Sequence, residues 1–179
     1  MFDFLKFSKR RKKELDSEGI RLLASIMVCF PEITTVNYEP QDRILSLTFM
    51  LKTSMDQAAF DDLTAGIAES LTTYHALQGI GVAKIGFSMD IQNDLSFLHV
   101  KRDLDSLTRG ELSLLCELLA DRFDEKLLLD MRGRDRTDQE FLLAQEDMLD
   151  RMLSGTQSLR PAGRLVGIRE DDRVVVFDN

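Results

Sequence analysis

Between Ile44 and Leu77 the spacing of apolar residues changes from a step of two to steps of three and four, and that change limits what the chain can build. Leu45, Leu47, Phe49 and Leu51 fall at every second position with Ser46 and Thr48 between them, so a strand here buries one face and wets the other. From Met55 onward, Phe60, Leu63, Ile67, Leu71 and Tyr74 form the stripe of a helix. Such a helix can cover the strand that precedes it. The same order returns over Leu95–Phe123. The pattern predicts an α+β fold: an antiparallel sheet built from two ββα units, with helices packed on one face, followed by a C-terminal helix and β-hairpin.

The flanking segments fit this plan. Glu14 to Cys29 reads as a helix with Leu15, Leu22, Leu23, Ile26 and Met27 on one stripe, ended by Pro31. Ile33–Tyr38 has strong β propensity, and Glu39-Pro40-Gln41-Asp42 is a turn joining it to the next strand. Ser54 with Gln57 offers a capping box for the following helix, which meets a glycine break at Gly79 and Gly81. Val82–Ile91 and Leu95–Lys101 read as a second hairpin around Gln92-Asn93-Asp94. Thr108 with Glu111 is a second capping box, opening a helix with Leu112, Leu115, Leu119 and Phe123 on one face. Beyond a polar basic link lie a helix over Asp138–Leu153 and a terminal hairpin of Leu165–Ile168 and Arg173–Phe177. An isolated hairpin is marginal in water, so this one must pack on the body, join the main sheet or pair with another chain. The expected division is a head over residues 1–13, a core over 14–130 and an extension over 131–179.

Charge separates the head from the rest. Lys6, Lys9, Arg10, Arg11, Lys12 and Lys13 stand against the single Asp3, a net +5, which leaves −13 on residues 14–179 out of −8 overall. An acidic body repels phosphate backbones, so nucleic acid is disfavoured as a partner. Phe2, Phe4, Leu5 and Phe7 stand directly before the cations. Aromatic and aliphatic side chains of this kind insert at a bilayer interface while the cations, each contributing about 1 kcal/mol, meet anionic head groups. The expected membrane-surface residues are therefore Phe2, Phe4, Leu5, Phe7, Lys9, Arg10, Arg11, Lys12 and Lys13. In composition this head resembles that of the division-site protein MinE, over these residues alone and without a shared motif. The bland reading is a solvated Lys/Arg terminus.

Chemical motifs are sparse. The sequence has no G-x-x-x-x-G-K-[ST] loop, H-E-x-x-H helix, C-x-x-C pair or G-x-S-x-G elbow, which disfavours standard nucleotide and zinc chemistry. Cys29 and Cys116 read as free core thiols of a reducing compartment, and no apolar run approaches the roughly 20 residues that span a bilayer. The expected location is cytoplasmic, at the inner membrane surface if the head binds lipid. His75 reads as a residue favoured by the terminal carbonyls of its helix and His99 as a strand residue; a metal shared with Asp90, Asp94 or Asp103 lacks ligand spacing. Asp103 and Asp105 fit a turn and first-turn region better than a catalytic carboxylate pair. Arg132, Arg134 and Arg136 before a Thr137 cap form a candidate anion site, with Asp130, Asp135, Asp138 and Glu140 near enough to neutralise them.

These features predict a non-enzymatic interaction module without a cofactor or bound metal, brought to an anionic membrane surface by its head, with an unidentified protein partner or a second copy of itself. The alternative is an enzyme or small-ligand binder holding an anion at Arg132–Arg136.

Overall fold

The structure, a computed structural model, describes residues 17–81, 83–129, 139–155, 161, 163–171 and 173–178. Helix α1 covers residues 17–29 and leads into hairpin β1 (Ile33–Glu39) and β2 (Ile44–Leu51). Helix α2 (Gln57–Gln78) precedes a second hairpin, β3 (Ile85–Gln92) and β4 (Leu95–Asp103), and then α3 (Arg109–Phe123). A 3-10 turn at Asp124–Lys126, helix α4 (Gln139–Ser154) and hairpin β5 (Leu165–Glu170) and β6 (Arg173–Asp178) complete the order. The strands form one sheet in the order β3-β4-β2-β1-β5-β6, every neighbouring pair antiparallel. The α+β architecture read from the apolar spacing is the one observed.

The sheet is built as the spacing requires. In β2, Leu45, Leu47, Phe49 and Leu51 are fully buried, and across the β2–β4 ladder Leu47 and Phe49 meet Val100 and Leu98, which are buried as completely. Leu63, Ile67 and Leu71 of α2 and Leu112, Leu115 and Leu119 of α3 close over that face. The two ββα units sit back to back about the β2–β4 pair, so the strand order across them is symmetrical. Alternate residues, including Ser46, Met50, Phe97, His99 and Lys101, point to the opposite face and keep contact with solvent.

Local chemistry sets the helix ends. The cap of α2 is Asp56, whose carboxylate accepts the Ala59 amide at 2.8 Å, rather than the expected Ser54. A carboxylate is the stronger acceptor for a helix N-terminus, and Asp56 stands directly before the first helical residue. Gly79 ends α2 as read from the sequence, at φ +66, a conformation in which a side chain would be strained. Thr108 caps α3 through the Glu111 amide at 3.2 Å, but the other half of the expected box is not made: the Glu111 carboxylate turns inward.

The C-terminal hairpin joins the main sheet, with β5 alongside β1 from Thr35↔Ile168 to Tyr38↔Leu165. One side chain fastens it further. Arg169 donates from Nε to the Ile33 carbonyl at 2.9 Å and from Nη2 to the Phe30 carbonyl at 2.9 Å and to that of Met27. It thereby supplies donors and positive charge at the C-terminus of α1, where carbonyls lack helical partners.

Both thiols lie inside. Burial first, then the Glu146 carboxylate, pushes Cys29 up to about 11, and burial again leads the rise of Cys116 well above the ordinary thiol range. In the native protein at mildly alkaline pH both should alkylate far more slowly than in denaturant, measured by mass spectrometry. Arg169→Met should lower the unfolding free energy by about 2 kcal/mol in urea titration, because it leaves carbonyls of the α1 terminus without their charged donor.

Candidate functional site

Two polar constellations are built on the sheet, one on each face. The first begins with Arg102, which continues the inward register of Leu98 and Val100 on β4 and is fully buried between Leu45 of β2 and Ile85 of β3. A guanidinium withdrawn from water must give every N–H a partner. Here all five have one. Nε donates to Glu111 Oε1; Nη2 donates to Glu111 Oε2 at 2.9 Å and Ser106 Oγ at 3.1 Å; Nη1 donates to the Lys84 carbonyl at 2.7 Å and to Asp103. Glu111, only 1% exposed, also lies 2.8 Å from His75 Nε2, so that nitrogen carries the proton toward the carboxylate. His75 thus looks into the core from the last turn of α2. Its ring is held by Glu111 of the neighbouring helix as well as favoured by its own terminus.

Asp103 completes this node. Burial would raise its carboxyl, but hydrogen bonds from Ser106, the Lys84 amide at 2.7 Å and Arg102 outweigh it and hold the group below its ordinary 3.8. Asp105 points elsewhere, pairing with Arg43 at 2.8 Å. The two carboxylates therefore serve turns and ion pairs, as their place before Thr108 suggests. Tyr74 adds a clasp, its hydroxyl 2.9 Å from Thr108 Oγ1, and a Cβ at position 110 would run into that hydroxyl, so Gly110 keeps the space open. With all five guanidinium donors engaged, the node ties α2, β4, the approach to β3 and α3 together.

The second constellation lies on the face that the helices leave open. Neighbouring positions of β2, β4 and β3 bring Thr48, His99 and Ser88 into one row, and Asp90 reaches His99 from one residue pair along. His99 Nε2 lies 3.0 Å from Asp90 Oδ2 and Nδ1 lies 2.9 Å from Thr48 Oγ1. One ring nitrogen thus faces the carboxylate and the other shares a hydrogen bond with the Thr48 hydroxyl. This is a hydroxyl–imidazole–carboxylate chain. Acyl transfer at Thr48 would also need amides aimed at a developing oxyanion, whereas the β2 amides around it are spent in ladders on both sides.

Beside it runs a groove of about 470 Å³ whose lining includes Thr34, Thr48, Met50, Phe97, Leu128 and Ile168. Its end wall forms because β1 pairs with β2 only as far as Phe49. Past that point the chain after the 3-10 turn takes over the strand edge, the Leu128 amide donating to the Met50 carbonyl at 2.9 Å.

Compared with protein families, curated proteins and solved structures, the chain matches none of them. The site is therefore read from its own geometry. Among the described residues no group of three or more His, Cys, Asp or Glu side chains is placed to hold a metal, and no helix is long and apolar enough to cross a membrane. The expected membrane-surface residues Phe2, Phe4, Leu5, Phe7, Lys9, Arg10, Arg11, Lys12 and Lys13, and the candidate anion residues Arg132, Arg134, Arg136 and Thr137, lie outside the described residues. Sequence reasoning missed Arg102 and Glu111, although each is a charged residue standing on a buried register.

Arg102→Met should destabilise the protein by about 3–5 kcal/mol, because it strands Glu111 in the core, and pairing it with Glu111→Leu should recover much of that loss. Asp103 has a lowered folded pKa, so its contribution is complete above its ordinary 3.8 and vanishes as pH falls through the lower folded value. Asp103→Asn should flatten this part of the acid limb in melting curves taken across that range.

Proposed function

We propose that this chain is a non-enzymatic interaction module: the open sheet face receives an apolar segment of a partner protein, and the N-terminal head carries the assembly to an anionic inner membrane surface. The observation that carries the reading is the one-sided fold. Helices bury one face of the sheet, while the other presents a groove lined by aliphatic, aromatic and thioether side chains and threonine hydroxyls, together with Arg169 and Asp171. Such a lining fits a partner that brings apolar side chains and some backbone polarity. His75 pairs with Glu111 and His99 with Asp90. The head contributes by charge, its +5 contrasting with −13 on the rest. That contrast draws the first residues to anionic lipid and keeps the body clear of it.

Both halves are testable. An apolar fluorescent reporter should bind the native protein, and Phe97→Asp or Met50→Asp should reduce its affinity by roughly tenfold while costing less stability than a core substitution, since both side chains are only half-buried on the open face. The 179-residue chain should sediment with anionic vesicles and not with neutral ones. Changing Phe2, Phe4 and Phe7 to serine should reduce that binding by at least about tenfold, given about 0.8 kcal/mol for each CH₂ buried in lipid. Reporter binding that ignores the groove substitutions would remove the first half of the proposal, and vesicle binding that ignores the head substitutions would remove the second.

A further inference from the structure

The open face carries polarity that neither the groove nor the Thr48 row uses. Two residues along the ladder from Thr48 and His99, Ser46 of β2 lies opposite Lys101 of β4, and Asn37 of β1 lies opposite Ser46. Three adjacent strands thus set an ammonium, a hydroxyl and an amide side by side. Among the described residues none of these three side chains makes a hydrogen bond or an ion pair. The acids that share this face of the same sheet already have partners: Asp90 is held by His99, Asp103 by Arg102 and Ser106, and Glu39 by Arg164. Lys101 is therefore a cation in the interior of a sheet face with its charge uncommitted. Its cross-strand neighbours are small. Gly86 of β3, directly opposite, has no side chain, and a Cβ added there would touch the Lys101 stem at 3.5 Å, while Ser46 on the other side is short. An anion can approach the ammonium between them.

Given the reading of the open face as the docking surface, on which this rests, we infer that the partner segment carries an acidic side chain beyond its apolar ones. Lys101 binds that carboxylate, and Ser46 and Asn37 supply hydrogen bonds to it. The spacing follows from the ladder. Met50 and Phe97 stand opposite each other beside the groove, and Ser46 and Lys101 stand four residues further along the same two strands, about 13 Å away at the rise of a strand. A partner chain extended along the sheet has the same rise, so an apolar side chain over Met50 and Phe97 places the acid four residues on, pointing to the same side of that chain. The side chain between them passes over the hydrogen-bonded Thr48 and His99. Charge selects a carboxylate over an amide of the same shape. The attraction acts at short range, on a body whose net −13 repels acidic chains at a distance, and salt screens it.

The probes are amidated peptides titrated by fluorescence against the full chain: dansyl-Leu-Thr-Leu-Thr-Ser-Thr-Glu, the same peptide ending in Gln, and a third with the last two residues exchanged, which turns the glutamate to the other side of the extended chain. The first should bind roughly fivefold more tightly than the second, with the difference shrinking as salt rises, and the third should lose the advantage. Lys101→Gln, at an exposed position, should bind the first two peptides equally. Phe97→Asp should weaken both together. Equal binding of the Glu and Gln peptides by the native chain, or a preference that survives Lys101→Gln or the exchange of the last two residues, would overturn the inference and leave the docking surface standing. Binding of neither peptide would remove both.

Discussion

A positive charge sealed inside the protein sets conditions that much of the rest must meet. Arg102 stands where the β4 alternation calls for an apolar residue, and the cost of removing its guanidinium from water is offset only while all its donors are taken. Those partners come from different parts of the chain: Glu111 from α3, Asp103 and Ser106 from the end of β4 and its loop, and the Lys84 carbonyl from the approach to β3. His75 of α2 joins through Glu111. A displacement of α3 along the sheet would strand two charges at once. The node therefore makes helix placement specific in a way that leucine contacts, which tolerate sliding, do not.

The same economy bears on chemistry. Histidine and carboxylate pairs occur on both faces of the sheet. On the helix side the imidazole joins the Arg102 network through Glu111. On the open side it fixes Thr48 and Asp90 in a row across strands, giving one end of that face a defined polar pattern and leaving Met50 and Phe97 to define an apolar one.

The architecture was legible because hydrophobic period depends on secondary structure alone. Leu45 through Leu51 and Leu63 through Leu71 state their faces without reference to anything distant. Caps were harder. Asp56 and Ser54 both satisfy the local rule, and only the position of the first helical residue separates them. The Arg102 node escaped because its members are far apart in sequence, yet each left a mark: His75 follows Leu63, Ile67 and Leu71 at the same interval, Arg102 follows Leu98 and Val100, and Glu111 adjoins Leu112 on the stripe with Leu115. A polar residue on an apolar register was the available signal. The Thr48–His99–Asp90 row left none, since it depends on the β2–β4 register, which no local pattern fixes.

The placement of β5 beside β1 has a bearing on synthesis. Strand β1 has β2 on one flank as soon as the first hairpin closes, but its other flank waits for residues more than a hundred positions later, as does the terminus of α1 that Arg169 fastens. While the chain emerges from the ribosome, an open strand edge lies in the middle of the future sheet. It is covered only after residues 165–169 have left the exit tunnel. Chaperone engagement and premature pairing between neighbouring nascent chains are thus concentrated in that interval, and a ribosome stalled within α4 would display a nearly finished sheet whose central edge is still unpaired.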